Sequence, residues 1–525
     1  MAPKVLISDK LDPQSVEIFK KNGVDVDYKV GLKPDELKAI IGNYDGLAVR
    51  SETKVTPEIL AAATKMKVIG RAGIGVDNVD IPKATEAGIV VMNTPFGNSI
   101  TTAEHAIAMM FALAREIPQA NESTHAGKWE KKRFMGVELF AKTLGVIGCG
   151  NIGGIVADRA VALKMNVIAY DPFLTAERAV EIGVEKVELD DLFRRADFIT
   201  IHVPKNEKTA GMINAASIAT MKDGVRIINC ARGGIIVEPD LKAALDSGKV
   251  AGAALDVFDV EPATESIFFG HPRVICTPHL GASTTEAQFN VAIQVAEQMS
   301  DYLVNGAVTN ALNMPSISAE DAPRLRPYMT LAEKLGSFAG QITSHAISKI
   351  EIEYQGHVAE LNVKPLTAMI LASVLKPLLE TVNIVSAPQL AKSRGIAVAE
   401  TKTASCDFHT GIKITVHTEN RVRNVTGTLF GGGAPRIVNI EGVPVEAAMD
   451  GHMLFIRNID KPGLIGGLGK ILGDAGMNIS DFRLGRQEKA GTAICIVSLD
   501  DAVNDTVYAT IKTLPQIESV KRLRF

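Results

Sequence analysis

The sequence predicts an α/β protein: two units with parallel sheets, followed by two smaller α+β units. Three observations carry that expectation. Through Asn305, apolar runs of strand length alternate with helical patterns, as parallel sheets covered by helices require. At Thr143–Gly153 one such run leads into a turn spaced Gly148-x-Gly150-x-x-Gly153, and Asp171 closes the next run. After Ser318 the texture changes to alternating, half-buried strands and then, from Met453 to Phe525, to a β-α-β-β-α-β rhythm.

In the first unit, residues 1–97, strands are expected at Val5–Ile7, Leu47–Val49, Val68–Ile69 and Ile89–Met92. A helical pattern from Ser99 to Ile117 sets Ala103, Ala106, Ile107, Met110 and Leu113 on one face and leads into the second unit, residues 98–284. Six strands are expected there, at Leu144–Ile147, Val167–Tyr170, Phe198–Val203, Val225–Asn229, Ala251–Asp256 and Val274–Cys276. A helix from Thr284 to Asn305 is long enough to return the chain to the first unit, so residues 285–312 are grouped with it. Asn305–Ser318, with Asn310, Asn313 and Pro315, reads as a linker. The third unit, residues 319–450, has strand patterns at Ile350–Tyr354, Ile412–Val416 and Ile437–Ile440, and a flexible turn at Gly431-Gly432-Gly433. In the last unit, residues 453–525, strands are expected at Met453–Ile456, Ala493–Ser498 and Val520–Arg524, and helices at Gly463–Ala475 and Val503–Leu514.

Composition narrows the class. A length of 525 residues suits three or four domains, and 46% hydrophobic with 22% charged residues is ordinary for a soluble globular chain. The net charge of −4 argues against nucleic-acid or membrane-surface binding driven by bulk electrostatics. Five cysteines without metal-ligand or disulfide spacing suit a reducing compartment and give no metal site. With a strand pattern beginning at Lys4 and no apolar stretch of membrane-spanning length, the expectation is a cytoplasmic protein.

The glycine turn carries the first piece of chemistry. Gly148 permits the tight turn, Gly150 lets a pyrophosphate approach the backbone, and Gly153 lets the following helix pack on the strand. The free N–H groups at that helix start, around Asn151 and Ile152, favour phosphate charge. Asp171 stands where a carboxylate accepts hydrogen bonds from an adenosine ribose. Pro172-Phe173 follow with no arginine to meet a 2′-phosphate, which favours NAD over NADP. Three loops after later strands carry the rest. Hydride transfer from a hydroxyl carbon needs a cofactor, a base and a cation to hold and polarise the substrate. Arg232, on a glycine-flanked turn, suits a substrate carboxylate and keto oxygen; His279 suits the hydroxyl proton; Glu261 suits the other imidazole nitrogen, fixing the tautomer and raising the histidine pKa. Taken singly, they read equally as a surface ion-pair partner, a loop histidine and a helix-start carboxylate.

In this order behind the glycine turn, the three motifs resemble the D-2-hydroxyacid dehydrogenase family, with Arg71–Asp80 and Thr94–Asn98 extending the match over residues 4–312. The resemblance implies a Rossmann-type NAD-binding domain and a flavodoxin-like substrate domain, and makes Arg232, Glu261 and His279 the catalytic residues. It implies NAD contacts from Gly148, Gly150, Asn151, Ile152, Gly153, Asp171, Val203, Pro204, Cys230, Ala231, Arg232, Asp256, His279 and Gly281. Substrate contacts are implied for Arg50, Ser51, Arg71, Gly73, Ile74, Gly75, Asn98, Arg232 and His279. Arg50 and Arg71 add charge suited to a phosphate. Phe455–Leu464 and Gly476–Ile479 are similar to the ferredoxin-like, amino-acid-binding ACT domain. Within the family that tail, behind an intervening domain that resembles an anion- or substrate-binding module, marks the branch that oxidises 3-phospho-D-glycerate to 3-phosphohydroxypyruvate at the start of serine synthesis. The resemblance further implies L-serine as effector at Asn458, Asp460 and Asn478, a dimer through the NAD-binding domain, and a tetramer. Arg133, in the basic segment around Trp129, could then enter a partner's active site. The alternatives are a hydroxypyruvate or glycerate reductase with a structural tail, and a corepressor-like NAD sensor.

Overall fold

The computed structural model describes residues 2–318, 320–379, 382–431 and 433–525. Ala319, where the third unit was expected to begin, and Gly432, in the expected triple-glycine turn, lie outside the described residues.

Five parallel strands, β1 (Lys4–Ile7), β2 (Asp25–Tyr28), β3 (Gly46–Val49), β4 (Val68–Arg71) and β5 (Val90–Met92), pair in the order β2-β1-β3-β4-β5. That is the doubly wound order with its switch point between β1 and β3. The edge strand β2 has no buried residue, which is why its run carried no apolar signal. The second sheet holds β6 (Thr143–Ile147), β7 (Asn166–Tyr170), β8 (Glu185–Lys186), β9 (Phe198–Ile201), β10 (Val225–Asn229), β11 (Val250–Leu255) and β12 (Val274–Cys276). Its order is β12-β11-β10-β9-β6-β7-β8, all parallel. The sheet therefore has seven strands where six were expected; the extra one, β8, is two exposed residues at the edge.

Two long helices join these units. Ser99–Arg115 packs Ala103, Ala106, Met110 and Leu113 into the second unit's core. It ends at Arg115, two residues before the expected Ile117, because Glu116 is left-handed (φ 51°), and a second helix, Ile117–His125, follows directly. Thr285–Asn305 begins at a Thr284 side-chain cap, ends at left-handed Gly306, and buries Val291, Val295 and Met299 against the first sheet. The segment expected as a linker is instead a packed clasp. Val308 and Ile317 exchange both backbone hydrogen bonds, and the Asn313 side chain accepts from Val91 N–H while donating to the Ile89 carbonyl. Its apolar residues Ala307, Val308 and Ile317 lie in one core with β1, β3 and the third unit.

The third unit adds helix Asp321–Ile342, which was not foreseen, and the six strands β13 (Ile347–Gly356), β14 (Ala397–Thr403), β15 (Thr410–Thr418), β16 (Val422–Phe430), β17 (Ala434–Ile440) and β18 (Val443–Ala448). Their order is β14-β13-β15-β16-β17-β18, with only the β13–β14 pair parallel. The last unit is β19 (His452–Ile459), β20 (Ile479–Arg486), β21 (Thr492–Leu499) and β22 (Ile517–Arg524) in antiparallel order β20-β21-β19-β22, with helices Leu464–Asp474 and Asp505–Lys512. No helix of the described residues is long and apolar enough to cross a membrane.

Helix Asp321–Ile342 approaches helix Lys364–Leu375 through Gly336 and Gly340. A β-carbon on Gly340 would lie 2.4 Å from the Val374 carbonyl oxygen. Gly340→Ala is expected to force the helices apart and lower stability by about 1–3 kcal/mol, read as a lower thermal midpoint with NAD affinity unchanged.

Candidate active site

The glycine turn has the geometry its spacing implies. Gly148 is left-handed (φ 88°), and a β-carbon there would lie 2.6 Å from the His202 carbonyl oxygen. A β-carbon on Gly153 would lie 1.9 Å from the Gly148 carbonyl oxygen, so the helix Asn151–Ala162 can seat only on glycine. A β-carbon on Gly150 meets no atom within 4 Å: the space over the helix start is open, as a bound diphosphate needs. A cleft of about 650 Å³ lies there, lined in part by Phe96, Ser99, Cys149, Gly150, Asn151 and Arg178. The Asp171 carboxylate accepts from Cys149 N–H (2.8 Å) and Phe173 N–H (2.7 Å), which aims it at the turn. These features fit a dinucleotide.

The loops after β10, β11 and β12 converge. His279 Nδ1 and Glu261 Oε2 are 2.6 Å apart, and Glu261 Oε1 accepts from Phe258 N–H. Burial pushes the Glu261 carboxyl up, but the hydrogen bonds from His279 and Phe258 outweigh it and hold it below the usual range. Glu261 is thus a carboxylate at neutral pH. It orients the imidazole through Nδ1, and among the described residues Nε2 has no hydrogen-bond partner. His279 is left-handed (φ 55°), a strain of about 1 kcal/mol for a residue with a β-carbon.

The loop is held in that shape by Asp256, which is fully buried. Its carboxylate accepts from Thr277 Oγ1 (2.6 Å), Leu280 N–H (2.7 Å) and Gly281 N–H (2.8 Å), and its backbone carbonyl accepts from His279 N–H. Burial raises the Asp256 carboxyl, and bonds from His105, Thr277 and Leu280 lower it by more. Expected as a cofactor contact, Asp256 in this structure serves the loop that carries His279.

Across the cleft, buried Asp9 plays the same part. Its carboxylate accepts from the N–H groups of Arg50, Glu52 and Thr53 and shapes the loop carrying Arg50 and Ser51. Arg71 Nε donates to the Arg50 carbonyl (3.2 Å). The Arg71 and Arg232 guanidiniums press on the Gly73–Gly75 loop so closely that β-carbons at Gly73 and Gly75 would lie 1.6 Å from Arg71 Nη1 and Arg232 Nη2. Ile74 accepts from the Asn93 side chain. Arg232 Nε pairs with Asp77 (2.9 Å) from the opposite unit, whereas among the described residues Arg50 and Arg71 have no ion-pair partner. Burial, then the like charges of Arg232 and Arg50, lower the pKa of Arg71. An anion at this point would relieve that cost.

Cys230 and Ala231 are buried beneath the Arg232 turn, and Val203 and Pro204 follow β9. Asn98, buried at the start of helix Ser99–Arg115, has an unpartnered Oδ1, as does Thr94 at its hydroxyl. Both orphans sit in the hinge. In the tail, the three effector candidates share no hydrogen bond with one another. Asn458 is buried and donates to the Ile459 carbonyl, Asp460 is ion-paired with Arg486 (2.7 Å), and Asn478 donates to Asp500.

Several contributors carried no sequence signal. Asp77, Asp9 and His105 act through partners distant in the chain. His202, following β9, has a buried, unpartnered Nδ1, and burial lowers its pKa to about 4.

Residues 107–281 match the family described as D-isomer specific 2-hydroxyacid dehydrogenase, NAD binding domain. The second unit is therefore the NAD-binding unit of an NAD-dependent 2-hydroxyacid dehydrogenase. Residues 324–441 match the D-3-phosphoglycerate dehydrogenase intervening domain, and residues 452–516 an ACT domain. The chain is 46% identical to a D-3-phosphoglycerate dehydrogenase of Synechocystis sp. over 97% of its own length and 92% of that protein. It is 42% identical to the Bacillus subtilis D-3-phosphoglycerate dehydrogenase over 99% of each. The crystal structure of an NAD+-bound 3-phosphoglycerate dehydrogenase from Entamoeba histolytica superposes with a TM-score of 0.52 at 31% identity, covering 60% of this chain and 99% of that one. The chain belongs to the D-3-phosphoglycerate dehydrogenase family.

His202 links pH to stability. The fold favours its neutral form, so its contribution is complete above the unfolded value near 6.5 and is lost as pH falls toward about 4. Unfolding free energy of the ligand-free protein should drop by about 2 kcal/mol across that window, and His202→Gln should flatten this part of the denaturant-measured profile.

Proposed function

We infer that this chain oxidises 3-phospho-D-glycerate to 3-phosphohydroxypyruvate with NAD. The observation that carries the choice of substrate is the cluster of Arg50, Arg71 and Arg232, of which, among the described residues, only Arg232 is ion-paired. Arg232 suits the substrate carboxylate, leaving Arg50 and Arg71, which have no ion-pair partner among the described residues, for a dianionic phosphate. The Gly73–Gly75 loop and Ser51 add N–H and hydroxyl donors. His279 Nε2 takes the hydroxyl proton as the C–O bond becomes a carbonyl, and Glu261 stabilises the imidazolium that results. The Gly148–Gly153 turn and Asp171 would hold NAD, which when bound would supply the hydride acceptor for the hydroxyl carbon. Arg232 polarises the developing keto oxygen.

The ACT tail supports control by L-serine. An effector ammonium reaching Asp460 would share its carboxylate with Arg486 or displace it. Inhibition of turnover by L-serine, lost in Asn478→Ala, is the expected result; turnover indifferent to serine would leave the tail a structural role. Exposed Trp129, Met135 and Phe140 of the NAD-binding unit suit a face covered by a second copy, with Arg133 in the same segment.

The decisive comparison uses two substrates. Arg71→Ala should lower kcat/KM for 3-phospho-D-glycerate by about 100-fold or more and that for D-glycerate far less. Equal losses would move the reading to a glycerate or hydroxypyruvate reductase. His279→Ala should lose about 100- to 10,000-fold in kcat and retain NAD affinity in a fluorescence titration; retained turnover would remove His279 from the base role.

A further inference from the structure

His105 lies on helix Ser99–Arg115, the element that leaves the hinge between the two α/β units. Its ring Nε2 is 3.2 Å from Thr277 Oγ1 and 3.2 Å from Asp256 Oδ1. Thr277 donates its own proton to that same Asp256 oxygen, so the imidazole N–H is shared between hydroxyl and carboxylate. The Asp256 carboxylate thereby accepts four donors: His105 and Thr277 from beneath, and the N–H groups of Leu280 and Gly281 from the loop that carries His279.

His105 Nε2, Cys230 Sγ and an Asp256 oxygen also lie within 4.8 Å of one another, a grouping that could hold a metal ion. The hydrogen bonding speaks against that use. The Asp256 oxygens are already engaged, and burial together with the Asp256 charge disfavours the Cys230 thiolate a metal would need. The cluster is instead a closed hydrogen-bond network with one exit, the backbone of the loop bearing the base.

We propose that His105 is a positioning residue for the oxidation: through Asp256 and Thr277 it fixes the left-handed loop that holds the His279 ring against Glu261. This rests on His279 being the base. Among the described residues of the hinge helix, His105 alone hydrogen-bonds Asp256, so it also ties the catalytic loop to the element about which the two units would close. Without its N–H, Asp256 keeps its charge with one donor fewer, and Thr277 is free to turn away. The loop then samples shapes in which His279 leaves the substrate hydroxyl, while the Arg50, Arg71 and Gly148–Gly153 contacts stay as they are.

The test compares His105→Phe with His105→Gln in the full-length enzyme. The phenylalanine fills the space without a donor; the glutamine restores an N–H at similar reach. His105→Phe is expected to lower kcat by about 10- to 100-fold, with KM for 3-phospho-D-glycerate and Kd for NAD within about threefold of wild type. His105→Gln is expected to recover most of that loss at an equal thermal midpoint. Wild-type kcat in His105→Phe would overturn the proposal. So would a glutamine variant as slow as the phenylalanine variant while equally stable, or losses that follow KM and Kd rather than kcat. Because every value is a ratio to wild type on whichever 2-hydroxyacid the wild type turns over, an error in the assigned substrate does not mimic failure here. His279→Ala in parallel shows separately whether the base is correctly named.

Discussion

The site depends on buried carboxylates that bind backbone rather than substrate. Asp9 and Asp256 each stand at or just beyond a strand end, on opposite sides of the cleft, almost without solvent exposure. Each takes N–H groups from the loop it serves: Arg50, Glu52 and Thr53 on one side, Leu280 and Gly281 on the other. An ionised carboxylate in such a place is tolerated only because several donors replace its water. In return it imposes one shape on loops that would otherwise be free, including the strained backbone of His279. The exposed residues that do chemistry are thus anchored by residues that do none.

Between these anchors three cations, Arg50, Arg71 and Arg232, stand near two carboxylates, Asp9 and Asp77. Arg71 and Arg232 press on Gly73 and Gly75, which leave room for their guanidiniums; Asp77 pairs with Arg232, and the charges of Asp77 and Asp9 both favour the charged form of Arg71. Asp77 and Asp9 offset part of the cost of placing these like charges together, and an anionic ligand would offset more of it. The Arg232–Asp77 pair also crosses from one unit to the other, so the cleft is already bridged before ligand arrives. The packed clasp at residues 306–318 joins the third unit to the substrate-side sheet through one continuous core.

Much of this was legible in the sequence, for local reasons. The glycine turn, Asp171, and the Arg232, Glu261 and His279 loops are each encoded within a few residues of a strand end. The structure brings Glu261 and His279 into contact and sets Arg232 beside Arg71. What sequence could not show depends on tertiary proximity. Asp256 follows an apolar run like any strand-end acid, and only folding reveals its four donors. His105 sits on an apolar helix face, and His202 at the end of a buried strand, with no spacing to mark either. The clasp looked like a linker because Asn310, Asn313 and Pro315 are turn formers; that the Asn313 amide stitches the edge of β5 is a long-range fact. Strand β2 was missed because an edge strand need not be apolar.

The arginine recess makes a dianion the preferred ligand, and that claim can be met directly with the unaltered enzyme. The measurement is kcat/KM for NADH formation from 3-phospho-D-glycerate and from D-glycerate, at low and at high salt. The account predicts a preference for the phosphorylated acid of about 100-fold or more, shrinking as salt screens the recess. Comparable values for the two acids, insensitive to salt, would contradict it.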